Sequence, residues 1–201
     1  MLSLLFLASL LFCQCVLARP TWDGLDSRMD FVDSLVPLAT HIVVKGPEAV
    51  VKELSHLSSP TPGEAGNLTI LPNAKSRRPP LFSLNLQDQV LWQYTNASTI
   101  FPVVVKNTTL ADGVPPYQMV LGKQQRSNEI VTGGIWSWRG TMLRFQLGES
   151  GPSNQGVFYA CPTGDNNIGL FMFLTPSPTP ENCHIVTLHS FSGRIQTQDK
   201  S

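Results

Sequence analysis

Charge is scarce in this chain and evenly split: 14 Lys and Arg stand against 14 Asp and Glu, and charged residues make up only 14% of the sequence. Such a balance gives no electrostatic hold on a nucleic acid or on an anionic membrane surface. Long apolar runs are missing as well. Leu2–Phe12 is too short to span a bilayer, nothing later reaches spanning length, and stable membrane insertion is not expected. Catalytic signatures are absent too, with no Gly-x-Ser-x-Gly elbow, phosphate-binding glycine loop or His-Glu-x-x-His helix. Cysteine is sparse: four occur in 201 residues, and Cys13 and Cys15 both fall in the apolar leader.

That leader is the most informative stretch present. Met1–Ala18 reads as a signal peptide, because Val16-Leu17-Ala18 offers the small-residue pattern of a cleavage site and Arg19-Pro20 begins a polar stretch. The polar tail Arg194–Ser201 is unlike a hydrophobic lipid-anchor signal. The expected location is extracellular or in a cell wall. Removing the leader leaves Cys161 and Cys183, which in an oxidising compartment read as one disulfide. Closing a loop of that length restricts the unfolded chain by about 3 kcal/mol. Their wide separation lacks the Cys-x-x-Cys spacing of a redox pair, so the bond is expected to be structural. Three N-glycosylation sequons occur, at Asn67-Leu68-Thr69, Asn96-Ala97-Ser98 and Asn107-Thr108-Thr109.

The organisation expected after residue 18 has three parts. Leu25, Met29, Val32 and Val36 recur at helical spacing, and Pro47-Glu48 opens a second helical pattern through Val50, Val51, Leu54 and Leu57, so residues 19–58 are expected to form a helical arm or pro-region. Residues 59–80 follow as a linker, since Pro60, Pro62, Pro72, Pro79 and Pro80 resist both helix and ladder pairing. Arg77-Arg78 within it has the form of a dibasic processing site, but Pro79 after the scissile bond favours a solvated charge run instead. Residues 81–201 make a β-domain.

Within that domain Leu84 and Leu86 alternate before Gln87-Asp88, and Val90, Trp92 and Tyr94 alternate after it, which predicts a hairpin. Phe101–Val105, Tyr117–Leu121, Gly156–Ala160, Ile168–Leu174 and Cys183–His189 read as further strands. Ile135–Trp138 and Thr141–Leu147 form a second hairpin about a two-residue turn Arg139-Gly140, which sets Trp136 opposite Leu143 and Trp138 opposite Thr141. The fold class is therefore mainly β: an antiparallel sandwich or barrel of about eight strands with a short helical N-terminal arm.

Few residues offer chemistry. Trp136 and Trp138 stand two apart on one strand and could stack on sugar rings, although partners such as Leu143 and Phe145 equally suit a buried core face. Trp92 poses the same question. His184 and His189 are five apart, so alternation sends them to opposite faces, and no metal site or cofactor is expected. The acids Asp88, Asp112, Glu129, Glu149, Asp165, Glu181 and Asp199 fall mostly in turns, which does not suggest the paired carboxylates of glycoside hydrolysis.

Trp136-x-Trp138, Leu143-x-Phe145, Phe158-Tyr159-Ala160-Cys161-Pro162, the apolar strand Leu170–Leu174 and Asn182-Cys183-x-Ile185-Val186-x-Leu188 together resemble the phialide-type cell-wall proteins of filamentous fungi and their IgE-binding relatives. The resemblance covers Leu81 to Ser190. It implies a small secreted β-domain associated with the wall or with development, without an assigned enzymatic activity. The reading that results is a wall-associated or surface-interaction protein with a polysaccharide as its partner. The alternatives are a carbohydrate-binding module or secreted effector using exposed aromatics, and a small secreted hydrolase.

Overall fold

A computed structural model describes residues 39–52, 55–72, 78–96, 99–108, 115–122, 129–163 and 167–190. These carry 13 strands: β1 (Ile42–Lys45), β2 (His56–Ser58), β3 (Gly66–Asn67), β4 (Thr69–Leu71), β5 (Leu81–Leu84), β6 (Leu91–Asn96), β7 (Thr99–Asn107), β8 (Tyr117–Leu121), β9 (Gly134–Arg139), β10 (Met142–Leu147), β11 (Phe158–Pro162), β12 (Ile168–Met172) and β13 (His184–Ser190). Every pairing among them is antiparallel, and the main path runs β4-β2-β1-β13-β11-β12-β8-β7-β6-β5.

The sheet curls into a half-barrel. Two strands change partner along one edge: β8 pairs with β12 at Tyr117 and Gln118 but with β3 at Val120 and Leu121. Similarly, β13 meets β11 through His184–Val186 and β10 at His189. Each exchange lets the sheet turn while the strand keeps a ladder partner on both sides of the change. At one further point the two flanks of the half-barrel are joined, because Thr40 N donates to Phe82 O and Phe82 N donates to Thr40 O, both at 2.8 Å.

Alternation explains which side chains fill the interior. Ile42 and Val44 of β1, Phe82 of β5, Leu91 of β6, Val103 and Val105 of β7, Phe158 and Ala160 of β11, Leu170 and Met172 of β12, and Val186 and Leu188 of β13 all belong to one buried cluster. On the opposite side of β11 and β12, Tyr159, Cys161, Phe171 and Cys183 make a smaller cluster, so both faces of these central strands are covered. The Cys161–Cys183 disulfide lies here, with Cα atoms 4.4 Å apart. It continues the β11–β13 register, in which Ala160 faces His184, by one more pair. The half-cystines occupy the close, non-hydrogen-bonded spacing of an antiparallel ladder.

The β9–β10 hairpin adds Trp136, Leu143 and Phe145 to the main core. Its turn differs from the expected one. Met142 pairs with Arg139, Leu143 with Trp138 and Phe145 with Trp136, so the loop residues are Gly140-Thr141. Gly140 takes φ +60°, which suits the first position of a two-residue hairpin turn and which Arg139 would adopt only under strain. The register has moved by two residues, an even step, so the side-chain faces are unchanged. Next to the hairpin, the 148–157 segment is locked onto β10 by Asn154. Its Oδ1 accepts from Phe145 N at 2.9 Å and Gly156 N at 3.1 Å, and its Nδ2 donates to Val157 O at 3.2 Å.

Two further expectations are corrected. In place of the second helical pattern there is a turn at Pro47, where Val50 N and Val51 N both donate to Pro47 O, followed by β2. Residues 42–71, partly assigned to the arm and partly to the linker, contribute β1 to β4 to the same sheet as the later strands. The strand count is consequently 13 and not about eight. The leader 1–18, the Leu25–Val36 pattern, Arg77 and the acids Asp112, Asp165 and Asp199 lie outside the described residues.

Candidate functional site

Strand β6 places aromatic side chains on both surfaces of the sheet by alternation. Leu91 and Gln93 point into the core, and Trp92 and Tyr94 therefore project outward, where both are half-buried. The register extends this outer row: Trp92 lies between Ser83 of β5 and Pro102 of β7, and Tyr94 between Leu81 and Ile100. Ile100 is 44% exposed. Residues two apart on a strand are separated by about 7 Å, so the two rings and their apolar neighbours form a short platform on a paired, rigid strand. A register shift between Tyr94 and Asn96 ends the platform where β6 turns towards β7.

The other tryptophan pair is placed differently. Trp136 is 3% exposed, donates its indole Nε1–H to Val103 O at 3.2 Å, and packs on Phe145 with ring centroids 4.8 Å apart. Trp138 is half-buried and packs against the main core. The indole faces of β9 thus serve packing, and an outward aromatic pair of the same spacing is found on β6. Sequence reasoning named Trp92 without Tyr94 as its partner; the signal that pairs them is their common alternation phase opposite Leu91 and Gln93.

The sequons are distributed over three strands. Asn67 lies in β3, half-buried, beside Leu68 and Thr69, which are both buried. Asn96 ends β6. Asn107 ends β7 and is half-buried, with Oδ1 enclosed and without a hydrogen-bond partner among the described residues. Asn67 also lines a cleft of about 140 Å³ together with Ser59, Thr61, Glu64 and Asn167. A space of that size is well below the roughly 300–1,000 Å³ of pockets that enclose a small-molecule ligand.

The histidines are dispersed. His41 Nδ1 is 3.0 Å from Pro80 O, His56 is buried in β2, and His184 and His189 occupy opposite sides of β13. His189 is held between two hydroxyls, with Nδ1 3.0 Å from Thr141 Oγ1 and Nε2 2.9 Å from Thr187 Oγ1. Burial, with a smaller contribution from the Lys45 ammonium, holds its pKa below the usual value of 6.5. Among the described residues, no three His, Cys, Asp or Glu side chains gather where they could hold a metal ion. The arrangement on β6 can bind by stacking and apolar contact. No family model, curated protein or solved structure matches the chain.

Proposed function

We propose that this chain is a secreted, wall-associated surface protein that holds polysaccharide through the outward aromatic row of β6 and β7, with the half-barrel acting as a scaffold and not as an enzyme. The observation that carries the reading is the pair Trp92 and Tyr94, half-buried on one side of β6 and flanked by Pro102 and Ile100. Rings held by a paired strand lose little side-chain freedom on binding, which favours a flat, extended ligand whose apolar sugar faces can lie across them. The signal-peptide pattern of Met1–Ala18 and the resemblance to phialide-type wall proteins support the compartment, and a Cys161–Cys183 disulfide is compatible with it.

Co-sedimentation with insoluble chitin and β-glucan tests the reading. Trp92→Ala combined with Tyr94→Ala is expected to weaken retention about tenfold, since two aromatic contacts at about 0.5–1.5 kcal/mol each sum to about 1–3 kcal/mol, a range that brackets the roughly 1.4 kcal/mol separating decades of affinity. Trp138→Ala is the comparison, because that ring packs against the core. Equal retention of the double variant and the parent chain would remove β6 as the binding surface.

A further inference from the structure

The loop closed by Cys161 and Cys183 contains Thr175-Pro176-Ser177-Pro178-Thr179-Pro180, in which every hydroxyl residue precedes a proline. Proline removes the backbone donor that a ladder needs, and it pushes the preceding residue out of the helical region into extended or polyproline conformation. The segment accordingly belongs to no strand or helix. It is also pinned at both ends, by buried Leu174 in the main core and by Cys183 in the disulfide cluster. A proline-spaced peptide, entered through a bend at Leu174-Thr175, is thus presented on a fixed base.

The three hydroxyls are not equivalent. Thr175 and Thr179 are exposed, and neither hydroxyl has a hydrogen-bond partner among the described residues. Ser177 is half-buried and its Oγ donates to Thr175 O at 3.2 Å. A second stretch of similar composition, Ser58-Ser59-Pro60-Thr61-Pro62, is built into the fold instead. Ser58 ends β2, Ser58 and Ser59 are each 3% exposed, and the Ser59 hydroxyl donates to Thr61 O at 2.7 Å. Composition alone would treat the two stretches alike; Thr61 is exposed as well, but it stands at a turn with its carbonyl accepting from Glu64 N at 3.4 Å as well as from Ser59, whereas Thr175 and Thr179 lie on a segment anchored only at its ends.

We infer that Thr175 and Thr179 are sites of O-linked glycosylation by hexose units, an inference that rests on the secretory reading of the chain. The modifying enzyme takes a phosphate-activated hexose as donor. The threonine Oγ attacks the anomeric carbon, the new C–O bond replaces the sugar–phosphate bond, the phosphate leaves with the electron pair, and the hydroxyl proton is released. The alternating prolines hold the acceptor extended beforehand, so little backbone freedom is lost when it enters a transferase groove. Ser177 is excluded because its oxygen is already turned onto the backbone.

The test is intact-mass analysis of the full chain recovered from the medium of a eukaryotic secretory host, after enzymatic removal of N-glycans. Whole-hexose increments are expected, and electron-transfer fragmentation is expected to place them on Thr175 and Thr179 and not on Ser177. Thr175→Val combined with Thr179→Val is expected to abolish them, while near-UV circular dichroism stays that of the parent because both positions are exposed. Secreted material without increments would overturn the inference and leave the export reading intact. Retention of a leader-bearing precursor inside the cell would overturn both, and increments that survive in the double variant would overturn the assignment to these residues.

Discussion

Asn154 is 4% exposed, yet it supplies the acceptor for two backbone amides that have no other hydrogen bond, Phe145 N and Gly156 N. Replacing it with alanine strands both amides in a region where water has little access, and each orphaned donor costs about 1–3 kcal/mol. Asn154→Ala is therefore expected to lower the unfolding free energy by about 2–6 kcal/mol, read as a shift in the denaturant midpoint at constant slope. Asn154→Asp keeps the oxygen that accepts from both amides, gives up only the Nδ2 donation to Val157 O, and should lose less; equal losses would show that the amides are not what the side chain serves. His189 governs a different measurement. Because burial and Lys45 hold its pKa below 6.5 in the fold, the unfolded chain takes up a proton first as the solution is acidified. The contribution of His189 to stability is constant above the usual histidine value, declines as pH falls from 6.5 through the folded value, and levels below it. Urea midpoints across that interval should fall for the parent chain and stay flatter for His189→Asn. Parallel curves would assign the acid sensitivity to other groups.

The β9–β10 hairpin is closely packed where Gly134 meets the Phe145 ring. A Cβ placed on Gly134 would meet the ring of Phe145, the residue paired with Trp136, although Gly134 has no positive φ that would forbid alanine. On conformational entropy alone, Gly134→Ala would stabilise the strand by about 0.5–1 kcal/mol. Overpacking costs about 1–3 kcal/mol, so a lower melting temperature with an altered near-UV tryptophan signal is the expected outcome, and a higher one would show that Phe145 yields easily. The same element shows what could be read in advance. The presence of β5 to β13 was legible because each of those strands is long enough to leave an apolar run, and a two-residue error in the β9–β10 register did not disturb its faces, whereas the alternation through Leu84 and Leu86 ran past the end of β5 onto a residue that is 72% exposed. The N-terminal strands were not legible. β2, β3 and β4 are two or three residues long, and Val50, Val51, Leu54 and Leu57 mimic a helical stripe, whereas β1 is decided by a partner at the far end of the sequence, β13. The candidate site shared this difficulty, since Trp92/Tyr94 and Trp136/Trp138 have the same spacing. Which pair points outward depends on which side of the sheet the core occupies, and long-range pairing alone settles that.

On the scale of the whole molecule, that long-range pairing makes strands β1 to β4 a structural part of the half-barrel and not an appendage to it. β1 stands between β2 and β13, with four of its residues in register with Thr187–Ser190, and Thr40 joins the opposite flank at Phe82. Ile42, Val44, Leu57, Leu68 and Ile70 all belong to the main core. Removing five buried aliphatic side chains forfeits about 1.5–3 kcal/mol each, a sum comparable to the roughly 5–15 kcal/mol of net stability that a domain has in total. The disulfide cannot offset this loss. It restrains the loop that contains β12 and leaves the edge of β13 vacated by β1 open, with unpaired backbone groups and an exposed apolar interior. A chain beginning at Leu81 is therefore expected to lack a cooperative thermal transition and to bind a hydrophobic dye, even with Cys161 and Cys183 oxidised. For the same reason, cutting after Arg78 would not release an independent β-domain: the two pieces should co-elute in native buffer and separate only in denaturant. A truncated chain with a sharp melt and a parental near-UV spectrum would show instead that the sheet closes without its first four strands.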